Sequence, residues 1–164
     1  NEDLFVDHRV ILTPVESNDE AAVALVRAMW ASTGAEVVDM GVEDHDAVLA
    51  ATSHLPHVLA YALVDALAQS DASEEIFRFA AGGFRDFTRI AASSPEMWRD
   101  ICLSNREALL RELTTYEAVV GRLKTMIAER DGAALERVFR RASEARLAWP
   151  QRVAPVDGTG AQPE

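Results

Sequence analysis

The middle of the chain reads Ala51-Thr52-Ser53-His54-Leu55-Pro56-His57, within an apolar segment that covers residues 46–69. This segment is apolar around most of its helical circumference, which predicts a central, buried helix. Pro56 removes a backbone donor and clashes with the preceding turn, so we expect the helix to bend or split there. The two histidines flank this defect, where freed backbone carbonyls could also take part in binding.

His54 and His57 lie at positions i and i+3, and they share a helix face if the bend at Pro56 is mild. Histidine titrates near neutrality and binds anions, protons or metals, so the segment is predicted to line a polar pocket. Satisfied core histidines, contacts to an anion or substrate, and a metal site all remain open. No carboxylate or cysteine lies at a convincing ligand spacing, so we expect no metal.

A second polar constellation reads Gly82-Gly83-Phe84-Arg85-Asp86-Phe87-Thr88-Arg89. Arg85 and Arg89 lie four residues apart on the predicted helix, and Asp86 alone cannot satisfy two guanidinium groups. Backbone N–H groups at a helix start favour anions, and arginine binds carboxylates in a bidentate manner. The segment indicates either a carboxylate site or a solvated charged face.

The sequence Ser93-Ser94-Pro95-Glu96 predicts a helix N-terminus, and the helix is expected to continue to about Arg130, before a turn at Asp131-Gly132 and a last helix. Trp98 lies in its first turns and is either a core residue or a platform for a ligand. Further along, apolar residues recur at spacings of four and three. This heptad-like seam favours packing against a partner helix or within the domain, and it consists of Leu109, Leu113, Tyr116, Val120, Leu123 and Ile127.

The first forty residues have the pattern of a β-α-β unit. Val10-Ile11-Leu12 predicts a strand, Asn18 or Asp19 caps a helix that is expected to stop at Gly34, and Glu36-Val37-Val38-Asp39-Met40 predicts a second strand. One such unit cannot bury both faces of a sheet, so we expect it to be the end of a larger α/β domain that lies upstream. The predicted organisation is residues 1–41 as this remnant, 42–150 as a helical domain and 151–164 as a flexible tail.

Composition excludes several classes of partner and site. A net charge of −11 over 164 residues argues against nucleic acid and anionic membranes. The apolar run at residues 58–64 is far shorter than the roughly 20 residues that cross a bilayer. Cys102 is the single cysteine, which excludes an intrachain disulfide and fits a reducing, cytoplasmic setting. No GxGxxG, P-loop, GxSxG or HExxH motif is present, so no complete catalytic apparatus is recognisable.

Read together, these segments resemble the prephenate and arogenate dehydrogenases. The resemblance extends to about Trp149 and rests on the combination of SHLPH at residues 53–57, GGFRDFTRIA at 82–91 and MWRDI at 97–101, with Leu4-Phe5 and Val10-Ile11-Leu12-Thr13-Pro14 near the start. It implies a mainly α fold: a helical dimerisation domain, like the C-terminal domain of 6-phosphogluconate dehydrogenase, preceded by a β-α-β remnant of a Rossmann-like domain. It also implies NAD(P)-dependent oxidative decarboxylation of prephenate to 4-hydroxyphenylpyruvate, in tyrosine biosynthesis.

The resemblance further implies roles for individual residues. Arg89 matches the carboxylate clamp, Trp98 matches an aromatic that closes the site, and the full expected substrate-binding set is Ser53, His54, His57, Gly82, Arg85, Asp86, Arg89 and Trp98. The family's catalytic histidine and the NAD or NADP site are expected upstream, so this chain alone is expected to be inactive. The implied partners are prephenate or arogenate and a second copy of the chain. The alternatives are an arogenate (cyclohexadienyl) dehydrogenase or a stand-alone, non-catalytic helical dimerisation module.

Overall fold

The computed structural model describes residues 3–148, which form two compact units. One unit combines the residues up to 40 with those from 121 onward, and the other contains residues 41–120. The domain boundaries expected at residues 41 and 150 stay a prediction. The flexible tail predicted for residues 151–164 lies outside the described residues.

The first unit begins with the predicted β-α-β element. Strand β1 (Arg9–Leu12), helix α1 (Glu20–Ala31) and strand β2 (Glu36–Asp39) follow one another, and the two strands pair in parallel. Asp19 is the N-cap of α1, because its carboxylate accepts a hydrogen bond from the Ala21 N–H at 3.3 Å. Arg9 and Glu36 face each other across the strand pair with an ion pair of 2.8 Å.

The turn that joins α1 to β2 requires glycine at position 34. Gly34 has φ +83°, in the left-handed region that side chains disfavour. A Cβ atom there would lie 2.9 Å from Cγ2 of Val6, too close for a real contact. The predicted role of Gly34 in ending the helix is confirmed, and close approach of the chain near Val6 adds a second reason for it.

In the second unit, residues 42–68 form one continuous helical stretch with a widened turn in the middle. Helix α2 (Val42–Leu49) leads into a π-helical turn (Ala50–His54), and helix α3 (Leu55–Ala68) follows. The Leu55 N–H donates to the Ala50 carbonyl, five residues back, as a π turn requires. The expected disturbance near Pro56 is therefore confirmed, and it takes the form of a widened turn on the N-terminal side of the proline.

The expectation that this helix is buried is wrong for the single chain. Within residues 42–68, the structure buries Ala50, His54 and Ala60, and only 11% of the most apolar window is covered. By length and composition alone, Val42–Ala68 could cross a membrane, a test that core helices of other proteins also pass. An exposed apolar stretch of this kind is typical of a surface that contacts a protein partner or a membrane.

Shorter helices complete this unit. Helix α4 covers Ser73–Arg78, and helix α5 (Gly82–Thr88) continues into a 3₁₀ turn (Arg89–Ala92). Both α5 and the 3₁₀ turn pack against α3. The Tyr61 hydroxyl on α3 donates to the Ser93 carbonyl at 2.7 Å, which fixes the end of the 3₁₀ turn on α3.

The helix predicted from Pro95 to about Arg130 is in fact two helices, α6 (Pro95–Ser104) and α7 (Arg106–Ala128). The predicted start is confirmed, because Ser94 accepts a hydrogen bond from the Met97 N–H at 3.3 Å and Pro95 follows. The break occurs at Asn105, which leaves helical geometry with φ −103° and ψ 36°. Periodicity could not reveal this break, since apolar spacing continues through it.

The last helix, α8 (Gly132–Ala148), follows the predicted turn at Asp131 and Gly132. Arg130 has φ 57°, and the Asp131 carboxylate accepts from the Ala134 N–H at 2.9 Å, so Asp131 caps the new helix. The fold class is confirmed: the described residues are mainly helical, with a small two-stranded parallel sheet near the start.

Candidate functional site

His57 lies flat against Trp98, which brings the SHLPH segment and α6 together. The two rings are stacked with centroids 3.6 Å apart and planes 19° from parallel. The His57 Nδ1–H donates to the Ser53 carbonyl at 2.8 Å. A carbonyl only accepts, so Nδ1 carries the proton and Nε2 is left to meet a ligand. The widened turn thus supplies the carbonyl that orients His57.

His54 is the buried member of the pair, with a relative exposure of 9%. Its ring meets the edge of Trp98 at 6.1 Å and 74°, so both histidines contact the same tryptophan. Burial lowers the pKa of His54 below its usual value, and the Asp46 carboxylate opposes that shift. His54 therefore favours the neutral state at pH 7, so it offers hydrogen bonds rather than a positive charge.

Trp98 is the centre of the cluster and is 8% exposed. Within residues 3–148, its indole Nε1–H is buried and has no hydrogen-bond partner. One side of the ring faces an open apolar pocket of about 250 Å³, lined by Val58, Tyr61, Pro95, Trp98, Arg99 and Cys102. Burial raises the pKa of the Cys102 thiol, so this cysteine is a poor nucleophile near neutral pH.

The arginine segment, residues 82–92, has a different character. Gly82, Arg85, Asp86 and Arg89 are all exposed. Asp86 forms no ion pair with either arginine in the described part of the chain, so the expected compensation of Arg89 by Asp86 is not seen. Both guanidinium groups therefore keep their donors available for an anion.

The structure thus brings some predicted site residues together and leaves others apart. Ser53, His54, His57 and Trp98 form one cluster, through the contacts above. Arg85 and Arg89 have no hydrogen bond or ring contact to that cluster within residues 3–148. The link between them is the packing of α5 and the 3₁₀ turn on α3, the helix that begins beside His54.

Sequence reasoning missed Asn105, which hydrogen-bonds to this cluster. Its amide nitrogen lies 2.8 Å from the Asp46 carbonyl oxygen and 3.2 Å from Nδ1 of His54. One available signal was the residue type, since asparagine is a poor residue for a helix interior and a common one where a helix stops. The contact to His54, 51 residues away, had no signal in the sequence.

The described residues contain no cluster of metal-ligating side chains and no glycine-rich phosphate loop. No group of three or more His, Cys, Asp or Glu residues is placed to hold a metal within residues 3–148. The loop after β1 contains no glycine, and its Pro14 lacks an N–H that could bind a phosphate. The N-terminus of α1 is already capped by the Asp19 carboxylate, which would repel a phosphate.

Comparison with known proteins gives one family. The profile described as the prephenate dehydrogenase dimerization domain matches residues 41–141. A cyclohexadienyl dehydrogenase from Zymomonas mobilis is 44% identical over 148 residues, which are 89% of this chain and 50% of that protein. The chain spans half or less of the length of the curated relatives it matches.

Comparison with solved structures points to the same family. Prephenate dehydrogenase from A. aeolicus, in complex with hydroxyphenyl propionate and NAD+, superimposes with a TM-score of 0.78 at 38% identity, over 85% of this chain and 49% of that one. Synechocystis arogenate dehydrogenase superimposes with a TM-score of 0.77 at 30% identity, over 88% and 53% respectively.

Proposed function

Because this chain belongs to the prephenate dehydrogenase family and contains its dimerization domain, we propose that it is the substrate-binding and dimerisation part of a prephenate dehydrogenase. The complete enzyme would oxidise and decarboxylate prephenate to 4-hydroxyphenylpyruvate and carbon dioxide, with a hydride passing to NAD or NADP. We place this step in tyrosine biosynthesis and in the cytoplasm, a setting that the single free cysteine favours.

The observation that carries this proposal is the contact of both SHLPH histidines with Trp98. Two motifs that lie more than forty residues apart in the sequence meet in a cluster with a stacked His57 and an edge-on His54. This cluster is rigid, partly apolar and bordered by polar atoms. Such a surface suits an organic ring that carries charged groups. A helical module with only a structural role has no need for two histidines on one tryptophan.

Arg89 is proposed to bind a carboxylate of the substrate. Prephenate carries two carboxylates, and a guanidinium group with no protein partner can bind one of them in a bidentate manner. Arg85 and Asp86 lie one turn earlier on the same exposed face and are proposed to form the polar mouth of the pocket. His54 and His57 then orient the substrate through hydrogen bonds and do not act as the base.

The cofactor is proposed to be bound by residues outside this chain. The relative from A. aeolicus was solved with NAD+, whereas the loop after β1 in this chain offers Pro14 and Asp19 to a phosphate. The reaction needs a hydride acceptor, which the nicotinamide supplies when bound elsewhere in the enzyme. The residues described here contribute positioning of the substrate.

An arogenate dehydrogenase is the second candidate. It is supported by the likeness to Synechocystis arogenate dehydrogenase and by the 44% identity to a cyclohexadienyl dehydrogenase. Arogenate differs from prephenate at one side-chain group, an amine in place of a keto oxygen. Comparing kcat/KM for the two substrates in the same enzyme preparation decides between them.

The test of the proposal is an activity assay with two proteins. This chain alone is expected to give no turnover of prephenate with NAD or NADP, because the described residues contain no dinucleotide cradle. The same chain joined to an upstream dinucleotide-binding domain of the family is expected to form reduced cofactor and carbon dioxide. A joined protein that turns over neither prephenate nor arogenate would favour the non-catalytic helical module. Turnover by the isolated chain would contradict the proposal that the cofactor is bound by residues outside this chain.

We also propose that the chain forms a homodimer, as the description of its domain suggests. Half of the predicted heptad-like seam is uncovered within one chain: Tyr116, Val120 and Ile127 are 39%, 43% and 63% exposed. The open apolar stretch Val42–Ala68 needs a cover as well. Sedimentation at micromolar concentration is expected to give a dimer, and a monomer there would contradict this proposal.

A further inference from the structure

Asn105 occupies the break between α6 and α7 and reaches back to two different parts of the stretch Val42–Ala68. Its amide nitrogen, Nδ2, lies 2.8 Å from the carbonyl oxygen of Asp46 on α2. The same nitrogen lies 3.2 Å from Nδ1 of His54 in the π-helical turn. Its backbone ends one helix and starts the next, because its N–H donates to Ile101 and its C=O accepts from Leu109.

The chemistry of these contacts fixes the orientation of the amide. A backbone carbonyl accepts hydrogen bonds and cannot donate, so the NH₂ group and not the oxygen of Asn105 must face Asp46. An NH₂ group carries two hydrogens, and the second one points toward His54. The nitrogen of His54 that meets it must therefore be an acceptor, which means that Nδ1 carries no proton.

We propose that Asn105 is a positioning residue that holds His54 as the neutral tautomer with its proton on Nε2. Protonation of Nδ1 would set two N–H groups against each other, so the amide opposes the imidazolium form. Nε2 has no hydrogen-bond partner in residues 3–148 and is not among the buried atoms that lack one, so it reaches the surface. Asn105 thereby turns His54 into a fixed, uncharged N–H donor.

This inference rests on the proposed function only for what meets that donor. An exposed N–H beside the stacked His57 and Trp98 suits an oxygen of the substrate, either a carboxylate or a carbonyl. A neutral donor binds such an oxygen without a charge that changes across physiological pH. The tautomer itself can be measured without any substrate, so it is tested independently.

Other charged groups near His54 act on the same equilibrium. The Asp46 carboxylate favours the imidazolium form, and it is held by Nδ1 of His45 at 3.0 Å. His45 and His57 disfavour a positive charge on His54, and the Trp98 ring carries no charge. The proposal therefore predicts that the amide and burial together outweigh the pull of Asp46.

The decisive measurement is the tautomer of His54 in this chain. Long-range ¹H–¹⁵N correlation spectra distinguish a protonated from an unprotonated ring nitrogen, and the loss of signals in His54→Gln assigns residue 54 among the four histidines. We expect a bare Nδ1 and a protonated Nε2 at pH 7. A His54 that is protonated at Nδ1, or is an imidazolium, would overturn the proposal without any variant.

Two variants then assign the effect to Asn105. Asn105→Ala removes the donor, and we expect a mixture of tautomers and a higher pKa for His54. Asn105→Asp places an acceptor beside Nδ1, and we expect the proton to move to Nδ1 and the pKa to rise further. Ser104→Ala changes the neighbouring exposed residue and is the matched control, with a spectrum like that of the unchanged chain. An unaltered tautomer in both Asn105 variants would contradict the proposal.

Kinetics of the joined enzyme add a readout that a purely structural role would not move. In Asn105→Ala, the loss of one fixed neutral donor is expected to raise KM for the substrate roughly 2- to 12-fold. We expect kcat to change less, because the catalytic base lies elsewhere in the enzyme. An equal loss of kcat and kcat/KM would contradict the positioning role. An unchanged KM alongside a changed tautomer would contradict substrate contact by His54, and it would leave the prephenate dehydrogenase assignment intact.

Discussion

The cluster of His54, His57 and Trp98 differs from the arginine segment of residues 82–92 in how far its side chains contact other residues of the chain. The cluster is held by ring contacts of 3.6 and 6.1 Å and by a hydrogen bond to the Ser53 carbonyl. The arginine segment is exposed, and Arg85 and Arg89 have no ion pair within residues 3–148. The cluster is therefore held by contacts within the chain, whereas the two guanidinium groups are left without an ion pair among the described residues.

Desolvation explains why the two regions are built differently. Aromatic rings and neutral histidines can be buried at small cost once their polar atoms find partners. A guanidinium group loses its hydration on burial, and it recovers that loss only when an anion arrives. In the proposed site, the solvated arginines would bind an anionic ligand and the histidines and Trp98 would contact its ring.

The largest effect is expected from Trp98→Ala, which tests whether the cluster is preformed. Removal of a buried tryptophan typically lowers the free energy of unfolding by about 3–5 kcal/mol. We expect a loss in that range by chemical denaturation, together with weaker substrate binding in the joined enzyme. Trp98→Phe keeps a ring for His57 to stack on and is expected to lose much less. A Trp98→Ala chain as stable as the original would mean that the cluster contributes little to the fold.

The next effect is expected from Arg89→Ala, which tests whether the arginine segment is completed by a ligand. A charge-assisted hydrogen bond contributes about 1.5–3 kcal/mol, or roughly 10- to 150-fold in KM for prephenate. The free energy of unfolding should change little, because the Arg89 side chain makes no ion pair or hydrogen bond in the part of the chain that the structure describes. Steady-state kinetics and a denaturation curve on the same variant check both parts. A destabilised variant with normal KM would assign Arg89 to the fold instead.

A smaller effect on the free energy of unfolding is expected from a change in pH, and it should come from His54 in the cluster. Burial lowers the pKa of His54 in the folded chain below its usual value of 6.5. As the pH falls below about 6.5, the unfolded chain takes up a proton at residue 54 that the folded chain resists. Stability is therefore highest above that pH and declines below it until the folded pKa is passed. His54→Gln should flatten this part of the profile, and an equal decline in both chains would refute the assignment.

The smallest effect is expected from Arg99→Ala, which sharpens the contrast between arginines. Arg99 is already paired, with Asp100 at 2.8 Å and Glu96 at 3.8 Å, on the exposed side of α6. Exposed pairs contribute at most about 1 kcal/mol. We expect small changes both in unfolding and in KM. A KM effect as large as that of Arg89→Ala would show that paired and unpaired arginines are equivalent here.

Local features of the fold followed from the sequence. Asp19, Ser94 and Asp131 mark helix starts that the structure confirms, since capping depends on neighbouring residues only. Gly34 was expected to end a helix, and Pro56 was expected to disturb one. The break at Asn105 had only its residue type as a local signal, and its contacts to Asp46 and His54 had none.

The sequence by itself determined the helical character, several helix starts and the residue types of the candidate site, since periodicity, caps and side-chain chemistry act over a few residues. Only the tertiary structure decided which of those residues touch. It stacked His57 on Trp98 and set Asn105 against His54, whereas Arg89 received no ion pair or hydrogen-bond partner within residues 3–148. The physical reason is distance along the chain: contacts across 41 or 51 residues depend on how whole helices pack, and no local pattern encodes that packing.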